Sequence, residues 1–241
     1  MKNLSTAVIA AAFSLVAASV PVGAQTLDFF NRPDSTNLGA NWTDATGSWS
    51  IVGGKATNAP NSQYNLTVYN AANATSAQVD IFKAATNTLD YAGVVLGYKD
   101  LDNNIFIKVQ NNNSGLNFDR IFGYFGNNGE GNFFDLTSPF SSGRLAATLV
   151  GNRVNVSIDP DFTGTAIQNY SFTYSESQIA ALGNQIGLNG YGGGSTYDNF
   201  GTVASAALPV PEPSTLGATA LAGLVVMWLK RKQKQLVREN R

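Results

Sequence analysis

The chain has 241 residues, 44% of them hydrophobic, enough apolar material for one sizeable domain with accessory segments. It contains neither cysteine nor histidine, which excludes disulfide frameworks, thiolate or imidazole metal sites, and Ser-His-Asp or Cys-His catalysis. From Gln25 to Leu208 eight bases face fourteen acids, a balance of −6 within a formal total of −1, so the body lacks the basic face that a nucleic-acid partner would require.

At the front, MKNLSTAVIAAAFSLVAASVPVGA places Lys2 before an apolar run from Ala7 to Val20, then Pro21 and the small residues Gly23 and Ala24. This is the layout of a secretory signal peptide, residues 1–24, with cleavage after Ala24 and export through the Sec machinery. The apolar run is shorter than a bilayer span requires.

The middle, residues 25–203, predicts an all-β domain. Period-two segments recur between Gly- and Asn-rich turns. In SAQVDIFK, Val79 and Ile81 alternate with Gln78, Asp80 and Phe82; in NIFIKVQ, Ile105, Ile107 and Val109 share one face and Phe106, Lys108 and Gln110 the other. LAATLVGNRVNVSID reads as a hairpin turning at Gly151-Asn152, a pair suited to positive φ. One short helix is expected: Ser175 and Gln178 form a capping box, and Gly183 is placed to end the helix before the strand QIGLNGY.

Near Thr202 to Ser205 the composition changes, and residues 204–213 read as a linker. Residues 214–229 then run without a charge, about 24 Å as a helix against a hydrocarbon core of about 30 Å. Trp228 and the long stems of Lys230 and Arg231 extend that reach at the interface. The basic cluster Lys230, Arg231, Lys232 and Lys234 opens a tail, residues 230–241, that the positive-inside rule keeps cytoplasmic, with the body outside.

Pro211-Glu212-Pro213, followed by the apolar helix and the basic cluster, resembles the PEP-CTERM sorting signal of Gram-negative, exopolysaccharide-producing bacteria. The resemblance implies a transient inner-membrane anchor, recognition by an exosortase-type membrane protease, and delivery to the cell surface or extracellular matrix. The tail KRKQKQLVRENR is longer than that family's usual few basic residues. A permanent membrane tether is the alternative.

DFFNRPDSTNLGANWT, GSWSIVGGKA, YAGVVLGYKDLDNNIFIKV and IGLNGYGGGSTYDNFG resemble the concanavalin-like and laminin-G-like jelly rolls of secreted bacterial proteins. That likeness implies two packed antiparallel sheets with the terminal strands side by side. Some enzymes of this fold cleave polysaccharides with alternating Glu-x-Asp-x-Glu carboxylates on one strand, a pattern missing here. Glu130 with Asp135 is the nearest candidate pair, and no catalytic residue is assigned.

The run Asp100-Leu101-Asp102-Asn103-Asn104 starts like a calcium loop, but Ile105 and Asn111 stand where Gly and Glu should be. It reads as an Asx turn, and no cofactor is assigned; a calcium ion held by oxygens from several loops is the alternative. Trp42 and Trp49 are expected in the core. Of the tyrosines at 91, 98, 124, 191 and 197, Tyr191 and Tyr197, flanking Gly192-Gly193-Gly194, are the candidate exposed carbohydrate contacts, because a flat ring packs on a pyranose. The function expected is that of a non-enzymatic surface or matrix protein contacting exopolysaccharide. A glycosidase-like enzyme on the same fold and a purely structural matrix protein are the alternatives.

Overall fold

The computed structural model describes residues 24–60, 64–71, 73–83, 89–111, 115–126 and 131–203. The signal peptide, the Pro-Glu-Pro motif, the apolar 214–229 segment, the basic cluster and Glu130 lie outside the described residues. Among the described residues, no helix is long and apolar enough to cross a membrane.

Period-two alternation becomes strand wherever it was read. In chain order the strands are β1 (Gln25–Asp28), β2 (Trp42–Thr46), β3 (Trp49–Val52), β4 (Lys55–Asn58), β5 (Asn65–Tyr69), β6 (Ser76–Lys83), β7 (Tyr91–Tyr98) and β8 (Ile105–Gln110). They continue with β9 (Phe118–Phe125), β10 (Gly131–Phe140), β11 (Ser142–Val150), β12 (Arg153–Pro160), β13 (Gln168–Thr173), β14 (Gln185–Tyr191) and β15 (Ser195–Thr202), with helix α1 (Glu176–Ala181) before β14.

The strands form an antiparallel two-sheet sandwich. One sheet has eight strands in the order β13-β12-β11-β6-β15-β4-β3, with β1 also on β15; the other has seven, β10-β9-β8-β7-β14-β5-β2. The expected pairing of terminal strands is present, Gln25 facing Thr202. The last two strands supply an interior strand to each sheet, β14 between β7 and β5 and β15 between β6 and β4.

Alternation decides which residues fill the space between the sheets. Val79, Ile81, Leu145, Ala147, Val154, Val156 and Ile158 come from one sheet and Val94, Leu96, Ile105, Ile107, Val109, Ile186 and Leu188 from the other, all buried in one core. Trp42 and Trp49 join it, as expected. Trp42 packs on Phe30, Tyr69 and Phe200 with ring centroids 4.9–6.1 Å apart in this group, edge and tilted contacts that add to simple burial.

The local signals hold. Val150 faces Arg153 across the Gly151-Asn152 turn, and Gly151 takes φ +60°. The Ser175 hydroxyl accepts from the Gln178 amide at 3.2 Å while the Gln178 side chain accepts from the Ser175 amide at 2.8 Å. In the β7–β8 turn the Asp100 carboxylate accepts from the amides of Asp102 and Asn103 and from the Asn103 side chain, at 2.8–3.0 Å, which is the Asx turn.

One local expectation is corrected. The helix ends on Leu182 in extended conformation, not on a left-handed Gly183. Gly183 is needed for a different reason: its amide donates to the Gly97 carbonyl at 2.9 Å, and a Cβ there would collide with the Tyr98 carbonyl oxygen.

Candidate functional site

The outer face of the seven-stranded sheet is aromatic where an exposed sheet face is ordinarily polar. With Ala92, Val94 and Leu96 turned into the core, β7 presents Tyr91, Gly93 and Val95 outward; β8 presents Phe106, Lys108 and Gln110, and β9 presents Arg120, Phe122 and Tyr124. Register sets these in rows across the strands. One row runs Asn189, Gly93, Lys108, Phe122, Phe133, and its neighbour Gly187, Val95, Phe106, Tyr124, Gly131. The strip from β14 to β10 is about 19 Å across at roughly 4.8 Å per strand.

The rings touch in sequence. Tyr191 stacks on Tyr91 at 5.1 Å with an interplanar angle of 16°. Tyr64, just before β5, lies 6.5 Å from Tyr91 and 5.1 Å from Phe106. Phe106 continues to Tyr124 at 6.0 Å, Tyr124 stacks on Phe122 at 5.8 Å, and Phe122 meets Phe133 at 5.4 Å. Phe133 is 51% exposed while Phe122 and Phe106 are buried, so the strip passes from an open rim to a covered floor. Gly131 carries no side chain because the Tyr124 ring occupies the place of its Cβ.

Lys108 lies within this strip. Its Nζ sits 3.9 Å from the centroid of Tyr91, 5.0 Å from Tyr124 and 5.1 Å from Phe122, an arrangement in which the negative ring faces hold the cation. The neighbour across the ladder is Gly93, where a Cβ would collide with the Ile107 carbonyl oxygen and the Lys108 backbone. Burial pulls the Lys108 pKa down to about 8, because desolvation disfavours the ammonium form. Arg120 stacks over Phe133 at 4.9 Å and donates to Asp135 at 2.7 Å.

A buried polar cluster fixes one end of the strip. Asp90, immediately before β7, is fully buried; its Oδ2 accepts from the Ser195 hydroxyl at 2.7 Å and its amide donates to Asn111 Oδ1 at 2.7 Å. Burial pushes the Asp90 carboxyl up to about 6, against the Ser195 hydrogen bond and the charge of Lys83, which both favour the ionised form. The Gly192-Gly193 turn crosses this cluster with φ +84° and +65°, and a Cβ on Gly192 would meet the Leu89 carbonyl oxygen at 2.6 Å. That turn sets Tyr191 over Tyr91.

The two tyrosines read as exposed contacts therefore separate. Tyr191 lies on the outer strip, half-buried. Tyr197 is corrected: it is fully buried, packs on Trp49 at 5.1 Å and donates its hydroxyl to the Asn189 carbonyl at 2.8 Å. The turn between them passes from one sheet to the other, so an outward position on β14 is followed by an inward one on β15. Of the carboxylate pair, Asp135 is bound to Arg120 and Glu130 lies outside the described residues. Among the described residues no three His, Cys, Asp or Glu side chains converge as a metal-ligand set.

Reasoning from the sequence did not single out Phe106, Phe122 or Lys108. The signal was present in IFIKVQ and FDRIFGYF, where alternation leaves bulky aromatics on the face opposite the aliphatic one.

No protein-family model and no curated protein matches this sequence. Solved structures share its fold. A point mutant of the GH43 protein BlXynB from Bacillus licheniformis aligns at 15% identity and TM-score 0.53, covering 74% of this chain and 39% of that one. GH43B of the Bacteroides ovatus xyloglucan PUL aligns at 16% identity and TM-score 0.51, covering 80% and 41%. The carbohydrate-binding module CBM66 from Bacillus subtilis aligns at 14% identity and TM-score 0.48, covering 67% of this chain and 94% of the module. The chain thus spans about two fifths of the length of the two GH43 polypeptides. At these identities the likeness to the two GH43 proteins is one of fold.

Proposed function

We propose that this is an exported surface or extracellular-matrix protein whose sandwich binds polysaccharide on the outer face of the seven-stranded sheet. The observation that carries the reading is the contiguous aromatic run on this face, in which Tyr191, Tyr91, Tyr124 and Phe133 keep exposed surface over a floor of Tyr64, Phe106 and Phe122. Flat rings along one face suit the apolar faces of successive pyranose units, and neighbouring hydroxyl and amide groups supply hydrogen bonds. A strip across five strands fits an extended chain better than a single sugar. The signal peptide and the Pro-Glu-Pro, apolar and basic elements support export and exosortase-type sorting to the surface.

The role is binding and not hydrolysis in this reading, since the strip presents aromatics and one amine where a glycosidase needs a carboxylate pair. Titration of the exported protein with the host's own exopolysaccharide tests it. Saturable binding without new reducing ends, weakened at least tenfold in Tyr91→Ala/Tyr191→Ala, is expected; unchanged affinity in that variant would move the site elsewhere. Replacing Pro211, Glu212 and Pro213 together by Ala is expected to leave the protein in the membrane fraction.

A further inference from the structure

The cation on the aromatic face narrows the kind of polymer that fits it. Of the two cations on that face, Arg120 is held by Asp135 at 2.7 Å, while among the described residues Lys108 has no carboxylate within ion-pair distance. A lysine beside water ordinarily extends its ammonium into solvent on a flexible stem. Here the ammonium lies beside three rings instead. The ring faces hold its charge but take none of its three N–H groups in conventional hydrogen bonds. Two further buried polar atoms on this side of the sheet have no hydrogen-bond partner among the described residues: Asn189 Oδ1, whose residue lies in the row through Lys108, and the Tyr64 hydroxyl.

We propose that the polysaccharide taken by this face is acidic, with a carboxylate of the sugar chain seated on the Lys108 ammonium and the flanking rings packed against the exposed parts of Tyr91 and Tyr124. A carboxylate supplies both the counter-charge and the acceptors that the rings cannot, and a desolvated pair is stronger than one in water. A neutral hydroxyl supplies only part of this. The inference rests on the polysaccharide-binding reading above. Single-stranded nucleic acid also stacks on aromatics, and it enters the test below as a competing outcome.

The experiment uses the exported protein with polygalacturonate and, as a matched neutral polymer, its methyl ester. Polygalacturonate is expected to bind about tenfold more tightly, with the preference abolished in Lys108→Met and affinity for the ester retained. As a second measurement that needs no variant, wild-type affinity for polygalacturonate is expected to fall between pH 7 and pH 9, where the polymer's carboxylates do not titrate but Lys108 loses its proton. Equal affinity for the two polymers, or a preference that survives Lys108→Met, overturns the acidic ligand and leaves the polysaccharide reading standing. No binding of either polymer, in a protein that also ignores the host exopolysaccharide, overturns both. Tighter binding of a single-stranded dT oligonucleotide would replace the sugar chain by nucleic acid.

Discussion

The Ser195 hydroxyl donates to Asp90 Oδ2 at 2.7 Å between residues 105 positions apart, tying the start of β7 in one sheet to the start of β15 in the other. Asp90 is fully buried and its Oδ1 has no partner among the described residues, so ionising it has a cost in the folded state. Burial raises its pKa from 3.8 to about 6, opposed by Ser195 and Lys83. The folded protein therefore holds a proton that the unfolded chain has released between these values, and stability falls as pH rises through that window. Asp90→Asn, neutral throughout, is expected to be more stable than wild type by about 2 kcal/mol at pH 7.5, with the difference closing towards pH 4. Urea midpoints across that range measure it; a constant difference would refute the titration.

Asp28 behaves in the opposite sense. Burial raises its carboxyl, but hydrogen bonds from Arg32, Trp42 and the Phe30 amide, with the charge of Arg32, outweigh it and leave the pKa below the usual value. The contacts measure 2.7 and 3.1 Å to Arg32 and 2.8 Å to Trp42 Nε1. This contribution is present above the unfolded pKa and is lost as pH falls through the folded one. Asp28→Ala is expected to cost about 3 kcal/mol at pH 7, with the cost shrinking as pH falls below the unfolded carboxyl value of 3.8, read as the change in thermal midpoint.

Arg144 grips Asp80 at 2.6 and 3.0 Å across the β6–β11 ladder, and the Asn199 side chain donates to the same carboxylate at 2.8 Å. The Asp80 side chain is 5% exposed and that of Arg144 42%. Arg144→Met keeps the stem but leaves the buried carboxylate with Asn199 alone. The expected loss is about 2 kcal/mol, and Asp80→Asn in the same chain should recover part of it.

Gly151 has open space around it and φ +60°. Gly151→Ala is therefore expected to cost about 1 kcal/mol from backbone strain alone, with the folding cooperativity unchanged. Gly151→Asn, which tolerates that conformation, should cost less than Ala when both are compared by urea unfolding.

What could be read from the residues was what local periodicity carries. Ile105, Ile107 and Val109 point inward because alternation leaves them no other face, and the Ser175–Gln178 box forms because its partners are three residues apart. The site was less legible because it is assembled across strands. Tyr91, Lys108, Phe122 and Phe133 are neighbours only through the register of β7 to β10, which no single segment encodes. Tyr197 misled because proximity to a glycine turn suggests exposure, while the sheet to which β15 belongs turns that ring inward.

The interior placement of β14 and β15 makes this domain one that is finished last. Without residues 185–202 the seven-stranded sheet falls into two fragments and the eight-stranded one into three, because β14 and β15 are the strands that join them and β1 pairs with β15 alone. In the proposed exported form, threading through the membrane is complete, save for the linker and anchor, before the sandwich can close. The sugar-facing strip, whose Tyr191 belongs to β14, then comes into being only on the side where its ligand is.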